Sequence, residues 1–156
     1  MSVLVATPAN EEIDNDRGGR APARVLVVYD ASRSGKVALR EAAQLTQAGG
    51  ELSVVTLAPQ ARPLRCCGGG GAGPYNFGVR GEAEAELRQA REALGTAAGR
   101  ATFAVLVGCP DPPLTAWVAE HAFDLVLLPC ARLTRGGSRF ARGLRAATAA
   151  EVRLVR

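Results

Sequence analysis

The chain has 156 residues, a formal net charge of +4, 47% hydrophobic residues and 22% charged residues. This is the composition of one globular domain that can bury a core without disulfides or a metal, and no apolar run approaches the roughly 20 residues of a membrane-spanning helix. Aromatic residues make up 4% of the chain, so a stacking surface for single-stranded nucleic acid is not expected.

The start of the chain differs in character from the rest. Residues 1–16 contain four acidic residues and no basic one, and no apolar periodicity appears before residue 23. We predict a flexible acidic extension over residues 1–22 and a folded domain over residues 23–156. The apolar residues 3–5 lack the positive flank of a secretory signal, so a cytoplasmic protein is expected.

The stretch Val25–Ser32 organises the chain that follows. Four consecutive aliphatic residues predict a central strand over residues 24–29 that is buried on both faces of a parallel sheet. Asp30 ends this strand, and Ser32 is a suitable N-cap, with Ser34 as the alternative start, for a helix that continues to about residue 48. Because ligands of open α/β sheets bind outside the carboxyl ends of the strands, Asp30 is the first candidate site residue. The alternative is an acid that only caps the next helical turn.

The remaining elements alternate in type. Hydrophobic patterns predict strands over residues 52–57, 101–107, 125–128 and 152–155, and helices over residues 82–98, 111–122 and 138–150. The glycine-rich stretch over residues 60–81 is predicted to be an irregular loop. The order βαβαβαβαβ predicts a parallel sheet with helices on both faces.

The sequence offers little material for a catalytic or metal site. Its four cysteines lack the paired spacing of a zinc site, and reduced thiols are expected in the cytosol. They follow predicted strands, which leaves a thiol redox sensor or a metal site open as an alternative. With His121 as the only histidine, no Ser-His-Asp set can be assembled, so we predict neither catalytic residues nor a resident metal.

Four stretches together carry a resemblance to a known family. They are Val25–Ser32, the helix positions Ala38, Leu39, Ala42 and Leu45, the segment from Gly108-x-Pro110 to Asp124–Leu128, and the closing helix and strand. In this order and spacing, the chain resembles the universal stress protein family over roughly residues 24–156.

The resemblance implies a fold and a ligand. The fold is an open sheet of five parallel strands in the order 3-2-1-4-5, with homodimers formed through the last strand. The ligand in many members is ATP, which the acid at the end of the first strand contacts. On this basis Asp30, Ala31 and Val55 are predicted ligand contacts.

The family's phosphate loop, Gly-x2-Gly-x9-Gly-Ser/Thr, is not matched. Pro129, Arg132 and Leu144 occupy three of its key positions, and proline supplies no N–H for a phosphate. One anion site remains predicted, in the turn that leads into the last helix, because a helix N-terminus flanked by arginine attracts phosphate. Its residues are Arg135, Gly136, Gly137, Ser138 and Arg139.

These features predict a stress-associated regulatory or binding module that is not a standard ATP binder. No cofactor is assigned with certainty, and ATP and AMP are the candidate ligands. The alternative is a nucleotide-binding protein or slow ATP hydrolase that uses Asp30 and the turn at residues 135–139. The arginines of this turn are otherwise simply a solvated surface. The expected partner is a second copy of the chain, paired through the last strand, with no membrane and no nucleic acid.

Overall fold

A computed structural model describes residues 23–62, 71–109, 113–130 and 137–156, the side chains of residues 137–139 excepted. The predicted acidic extension over residues 1–22 lies outside the described residues, as do Cys66, Cys67 and the glycines at positions 68–70.

Five parallel strands form one sheet in the order β3-β2-β1-β4-β5. The strands are β1 (Arg24–Val28), β2 (Glu51–Pro59), β3 (Ala101–Gly108), β4 (Leu125–Pro129) and β5 (Glu151–Val155). The predicted fold class and strand order are therefore confirmed.

The middle of the sheet is buried on both faces because its strands are aliphatic throughout. Successive side chains of a strand point to opposite faces. Leu26 and Val28 therefore join the core on one face, whereas Val25 and Val27 join the core on the other. This double burial explains why β1 lacks the polar alternation of a one-sided strand.

In the described parts of the chain, four α-helices cover the two faces of the sheet in pairs. They are α1 (Arg33–Leu45), α2 (Ala72–Leu94), α3 (Leu114–His121) and α4 (Gly137–Ala147), with a 3-10 helix at Gly95–Arg100 after α2. Ala38 and Ala42 of α1 and Ala90 of α2 pack on one face of the sheet. Residues of α3 and α4, such as Val118 and Leu144, pack on the other. Among the described residues, no helix is both long and apolar enough to cross a membrane.

The prediction for α2 was wrong at its start, since the helix begins at Ala72 rather than at Glu82. Its glycines and Pro74 had indicated a loop. Pro74 lies in the first helical turn, however, where a missing N–H breaks no intrahelical hydrogen bond. Asn76 then ties this turn to the segment after β2: its side chain accepts from Ala61 N at 2.8 Å and donates to Ala61 O at 3.1 Å.

The ends of other helices also shift. The helix α2 stops at Leu94 rather than Ala98, because Gly95 has a φ of 55°, which glycine adopts readily. The helix α1 stops at Leu45, before the predicted end near residue 48. The predicted N-cap of α3, Asp111, lies outside the described residues, and α3 itself begins at Leu114.

Candidate functional site

Asp30 lies at the carboxyl edge of the sheet, one residue beyond the central strand. The strand β1 pairs with β2 on one side, where Val28 is opposite Val55, and with β4 on the other, where Val27 is opposite Leu127. Tyr29 N donates to Val55 O at 2.8 Å, which holds the chain against β2 up to this point. The Asp30 side chain is only 3% exposed. A buried carboxylate is thereby placed at a fixed position beside the ends of three strands.

The Asp30 carboxylate is fixed by the first residues of α1. Its Oδ1 accepts hydrogen bonds from Ser32 N at 3.2 Å and from the Ser32 hydroxyl. The Ser32 hydroxyl oxygen also accepts from Gly35 N at 3.1 Å, which is the N-cap contact of α1. The predicted N-cap is therefore confirmed, and the cap itself is oriented by Asp30.

A second hydroxyl extends this network. Ser34 Oγ lies 3.1 Å from Ser32 Oγ. Because the single hydroxyl proton of Ser32 is directed at Asp30, Ser34 is the donor in this contact. The result is a chain of donors that runs from Ser34 through Ser32 and ends on the carboxylate.

Gly35 allows α1 to close on Asp30. A Cβ atom at this position would lie 2.2 Å from the Asp30 backbone oxygen and 2.3 Å from its Oδ1. No side chain fits there without displacing the carboxylate. Sequence analysis did not single out Gly35, although a glycine just inside a helical pattern is a signal of close backbone approach.

The other predicted site residues fall into three groups. Ala31 is exposed beside Asp30, and Val55 lies across the sheet from the end of β1. The Val55 side chain is 0% exposed in the core, and its carbonyl accepts a hydrogen bond from Tyr29 N. Val55 therefore positions the end of β1 and offers no exposed side chain to a ligand. Arg135 and Gly136 lie outside the described residues, as does Arg132. Gly137, Ser138 and Arg139 form the first turn of α4.

Pro129 is the last residue of β4, buried and opposite Val155 of β5. Because proline has no N–H, the backbone has no donor at this position for a ligand phosphate. Leu144, where the family loop has a hydroxyl residue, is 0% exposed in the core. Pro129 and Leu144 are thus buried residues that stabilise the fold.

The described thiols do not come together at this edge. Cys109 follows β3 and Cys130 follows β4, and neither is in a disulfide. The strands β3 and β4 are separated by β2 and β1, a distance of about 14 Å at ~4.8 Å per strand. Among the described residues, no three His, Cys, Asp or Glu side chains are grouped closely enough to hold a metal ion.

The single histidine lies at the opposite edge of the sheet. The His121 ring stacks on Trp117 with centroids 4.2 Å apart, and its Nδ1 is 2.8 Å from Trp117 O. Asp124 accepts from Arg24 N at 2.8 Å at this same edge. The Arg24 guanidinium also donates to His121 O and so joins the start of β1 to α3. These contacts stabilise the fold at a distance from Asp30.

Comparison with known proteins gives one family. The sequence model of the universal stress protein family matches residues 23–152. Among curated protein sequences, none is similar enough to count as a relative.

Several solved structures share the fold. One is a universal stress protein in complex with cAMP, with a TM-score of 0.58, 21% identity, and coverage of 88% of this chain and 99% of that one. Another, from Archaeoglobus fulgidus, is in complex with dAMP, with a TM-score of 0.58, 20% identity, and coverage of 88% and 100%. A family protein from Burkholderia pseudomallei has a TM-score of 0.63, 17% identity, and coverage of 85% and 96%. At these identities the likeness concerns the fold alone.

Proposed function

The chain belongs to the universal stress protein family, and from this membership we propose that it is a regulatory module that binds an adenosine monophosphate-type nucleotide without hydrolysing it. The observation that carries the proposal is the buried Asp30 carboxylate, held in place at the carboxyl end of the central strand. Solved proteins of the same fold are complexes with cAMP and with dAMP, which supports this choice of ligand.

The charge of Asp30 decides which end of a nucleotide it meets. An ionised carboxylate only accepts hydrogen bonds, so it is suited to the hydroxyl and amino groups of a nucleoside and repels a phosphate. The nucleoside therefore lies at Asp30. The proposed place for the phosphate is away from Asp30, at the first turn of α4, which contains Ser138 and follows the predicted anion contact Arg135 in the sequence. An N-terminal helical turn favours an anion through its free N–H groups.

Because this sequence does not match the family's phosphate loop, a nucleoside monophosphate is a better candidate ligand than ATP. A triphosphate needs many backbone N–H donors around it, and Pro129 removes one at the end of β4. A single phosphate needs fewer donors and can be held by one helical turn and its arginines. ATP binding in the standard family manner is accordingly not part of this proposal.

Three measurements together separate nucleotide binding from catalysis. Native mass spectrometry of the purified protein reports any co-purified nucleotide, and calorimetry with AMP, cAMP and ATP then ranks the ligands. We expect AMP to bind the wild type and to bind the Asp30→Asn variant at least about tenfold more weakly, because a hydrogen bond to a charged group is lost. Phosphate release from ATP would instead support the slow hydrolase.

The matched control is Asp124→Asn, which makes the same chemical change at the opposite edge of the sheet. An asparagine oxygen can still accept from Arg24 N, so this variant keeps the fold contact. We expect its AMP affinity to equal that of the wild type. Absence of nucleotide binding by the wild type, or equal losses in both variants, would contradict the proposal.

We propose two further properties, a dimer and a cellular location, each from its own observation. A second copy pairs through β5, because this strand is bonded only to β4 within the described sheet and leaves an edge. Sedimentation that shows a monomer at tens of micromolar would exclude this dimer.

The second property is a cytoplasmic location, which free thiols at Cys109 and Cys130 fit. Cell fractionation tests this location.

A further inference from the structure

We propose that the cleft between α1 and α2 is a second ligand site, which binds a small organic carboxylate with an apolar body. The cleft has a volume of about 340 Å³, within the ~300–1,000 Å³ range of small-molecule sites in proteins. It lies on one face of the sheet, and its chemistry is distinct from that of the Asp30 edge.

The cleft exists because the facing helices carry small side chains. Ala43 of α1 and Ala93 of α2 line it, and Leu39 and Leu94 supply its apolar walls. It extends along α1 from Lys36 to Ala43, about 10 Å at ~1.5 Å per residue, and continues to Gln47 beyond the end of the helix. An elongated apolar body therefore fits it better than a compact polar one.

Tyr29 provides a donor at the base of the cleft. The residue lines the cleft although it is only 1% exposed. Burial raises the pKa of Tyr29, and the charges of Glu86 and Asp30 raise it further. The hydroxyl thus stays protonated at neutral pH and can donate to a ligand oxygen.

The polar lining is suited to an anion. Lys36 and Arg40 are four residues apart on α1, so they lie on the same side of the helix. Gln47 and Gln89 add amide groups, and none of the described residues that line the cleft is acidic. The lining thus combines two cations and a buried hydroxyl donor with leucine and alanine side chains, which matches a carboxylate that carries an apolar chain.

Calorimetry with octanoate and octanamide tests the carboxylate preference directly. The two probes share an apolar chain and differ in charge. We expect octanoate to bind and octanamide to bind at least about tenfold more weakly, because the charge-assisted hydrogen bonds are lost. Saturating AMP should not displace octanoate, so failure of this site is distinguishable from failure of the nucleotide site.

Three variants locate the octanoate. The double variant Lys36→Gln/Arg40→Gln should weaken octanoate about tenfold or more, and Tyr29→Phe should weaken it severalfold. Ala93→Leu fills the cleft from an exposed helical position and should abolish binding. These three variants leave the contacts of Asp30 with Ser32 unaltered.

The control is Arg88→Gln/Arg142→Gln, which removes the same charge at exposed positions outside the cleft. We expect this control to bind octanoate like the wild type. Equal affinity for octanoate and octanamide would overturn the proposal. So would unchanged binding in Ala93→Leu, or equal losses in the two double charge variants.

Discussion

The turn after β1 and the cleft between α1 and α2 start from neighbouring residues, Asp30 and Tyr29, and yet are assembled in different ways. The turn is made by hydrogen bonds among residues 30–35. The cleft is made by side chains from α1 and by side chains from α2 and the 3-10 helix that follows it, two regions that lie far apart in the chain. One strand end can therefore contribute to two sites, because consecutive side chains point in different directions.

The two regions also have opposite electrostatic character. The turn presents a carboxylate, which accepts hydrogen bonds, whereas the cleft presents Lys36, Arg40 and a protonated phenol, which donate them. They should consequently discriminate between ligands by opposite features. The turn suits the hydroxyl and amino groups of a nucleoside, and the cleft suits a carboxylate.

Gly35→Ala should have the largest effect on the turn. The added Cβ would overlap the Asp30 backbone oxygen, and we expect a loss of about 2 kcal/mol in the free energy of unfolding, as for overpacking of a tight site. AMP binding should fall with it. The measurement is chemical denaturation, followed by the fluorescence of Trp117, the only tryptophan of the chain.

Gly81→Ala is its matched control. This helical glycine of α2 has nothing within 4 Å of an added Cβ, so the same substitution should stabilise the protein by about 0.5–1 kcal/mol. Equal effects at the two positions would show that the contact of Gly35 with Asp30 is not tight.

Ser32→Ala should have the next largest effect. It removes the N-cap of α1 and one donor to Asp30, which should cost about 1 kcal/mol in the free energy of unfolding. Ser32→Thr keeps a hydroxyl in this position and should lie close to the wild type. An alanine variant as stable as the threonine variant would mean that the hydroxyl contributes nothing to the turn.

The smallest expected effect concerns the cleft and appears only at high pH. The pKa of Tyr29 is raised in the folded protein above its ordinary value of 10.0. The unfolded chain therefore loses this proton first as the pH rises. The contribution of the protonated Tyr29 hydroxyl to the free energy of unfolding is complete below about pH 10. It is lost as the pH rises through the pKa of Tyr29 in the folded state.

Denaturation at a series of pH values should reveal this loss in the wild type and a shallower one in Tyr29→Phe. Tyr75→Phe, at the other and exposed tyrosine, is the control and should behave like the wild type. Parallel curves for wild type and Tyr29→Phe would show that Tyr29 does not titrate from a buried, protonated state.

The features that sequence reasoning predicted are those set by local patterns. The aliphatic run before Asp30 correctly predicted the central strand, and Ser32 correctly predicted the N-cap of α1. Each of these signals lies within a few residues of the structure that it predicts. Family resemblance added the order of the strands, which the sheet confirms.

The features that were missed depend on contacts across the fold. Pro74 and its neighbouring glycines indicate a loop in the sequence where the structure has the first turns of α2. These turns are stabilised by the hydrogen bonds of Asn76 with Ala61. The close approach of Gly35 to Asp30 depends on three-dimensional geometry, as does the placement of Ala43 and Ala93 in the lining of one cleft. None of these contacts has a periodic signature in the sequence.

Backbone amide NMR with AMP tests the central claim most directly, because it locates the nucleotide in one region or the other. The account predicts shifts concentrated at residues 30–35 and at the first turn of α4, with little change at Arg40, Gln47 and Gln89. Shifts concentrated along the cleft, or no shifts at saturating AMP, would contradict a nucleotide site built on Asp30.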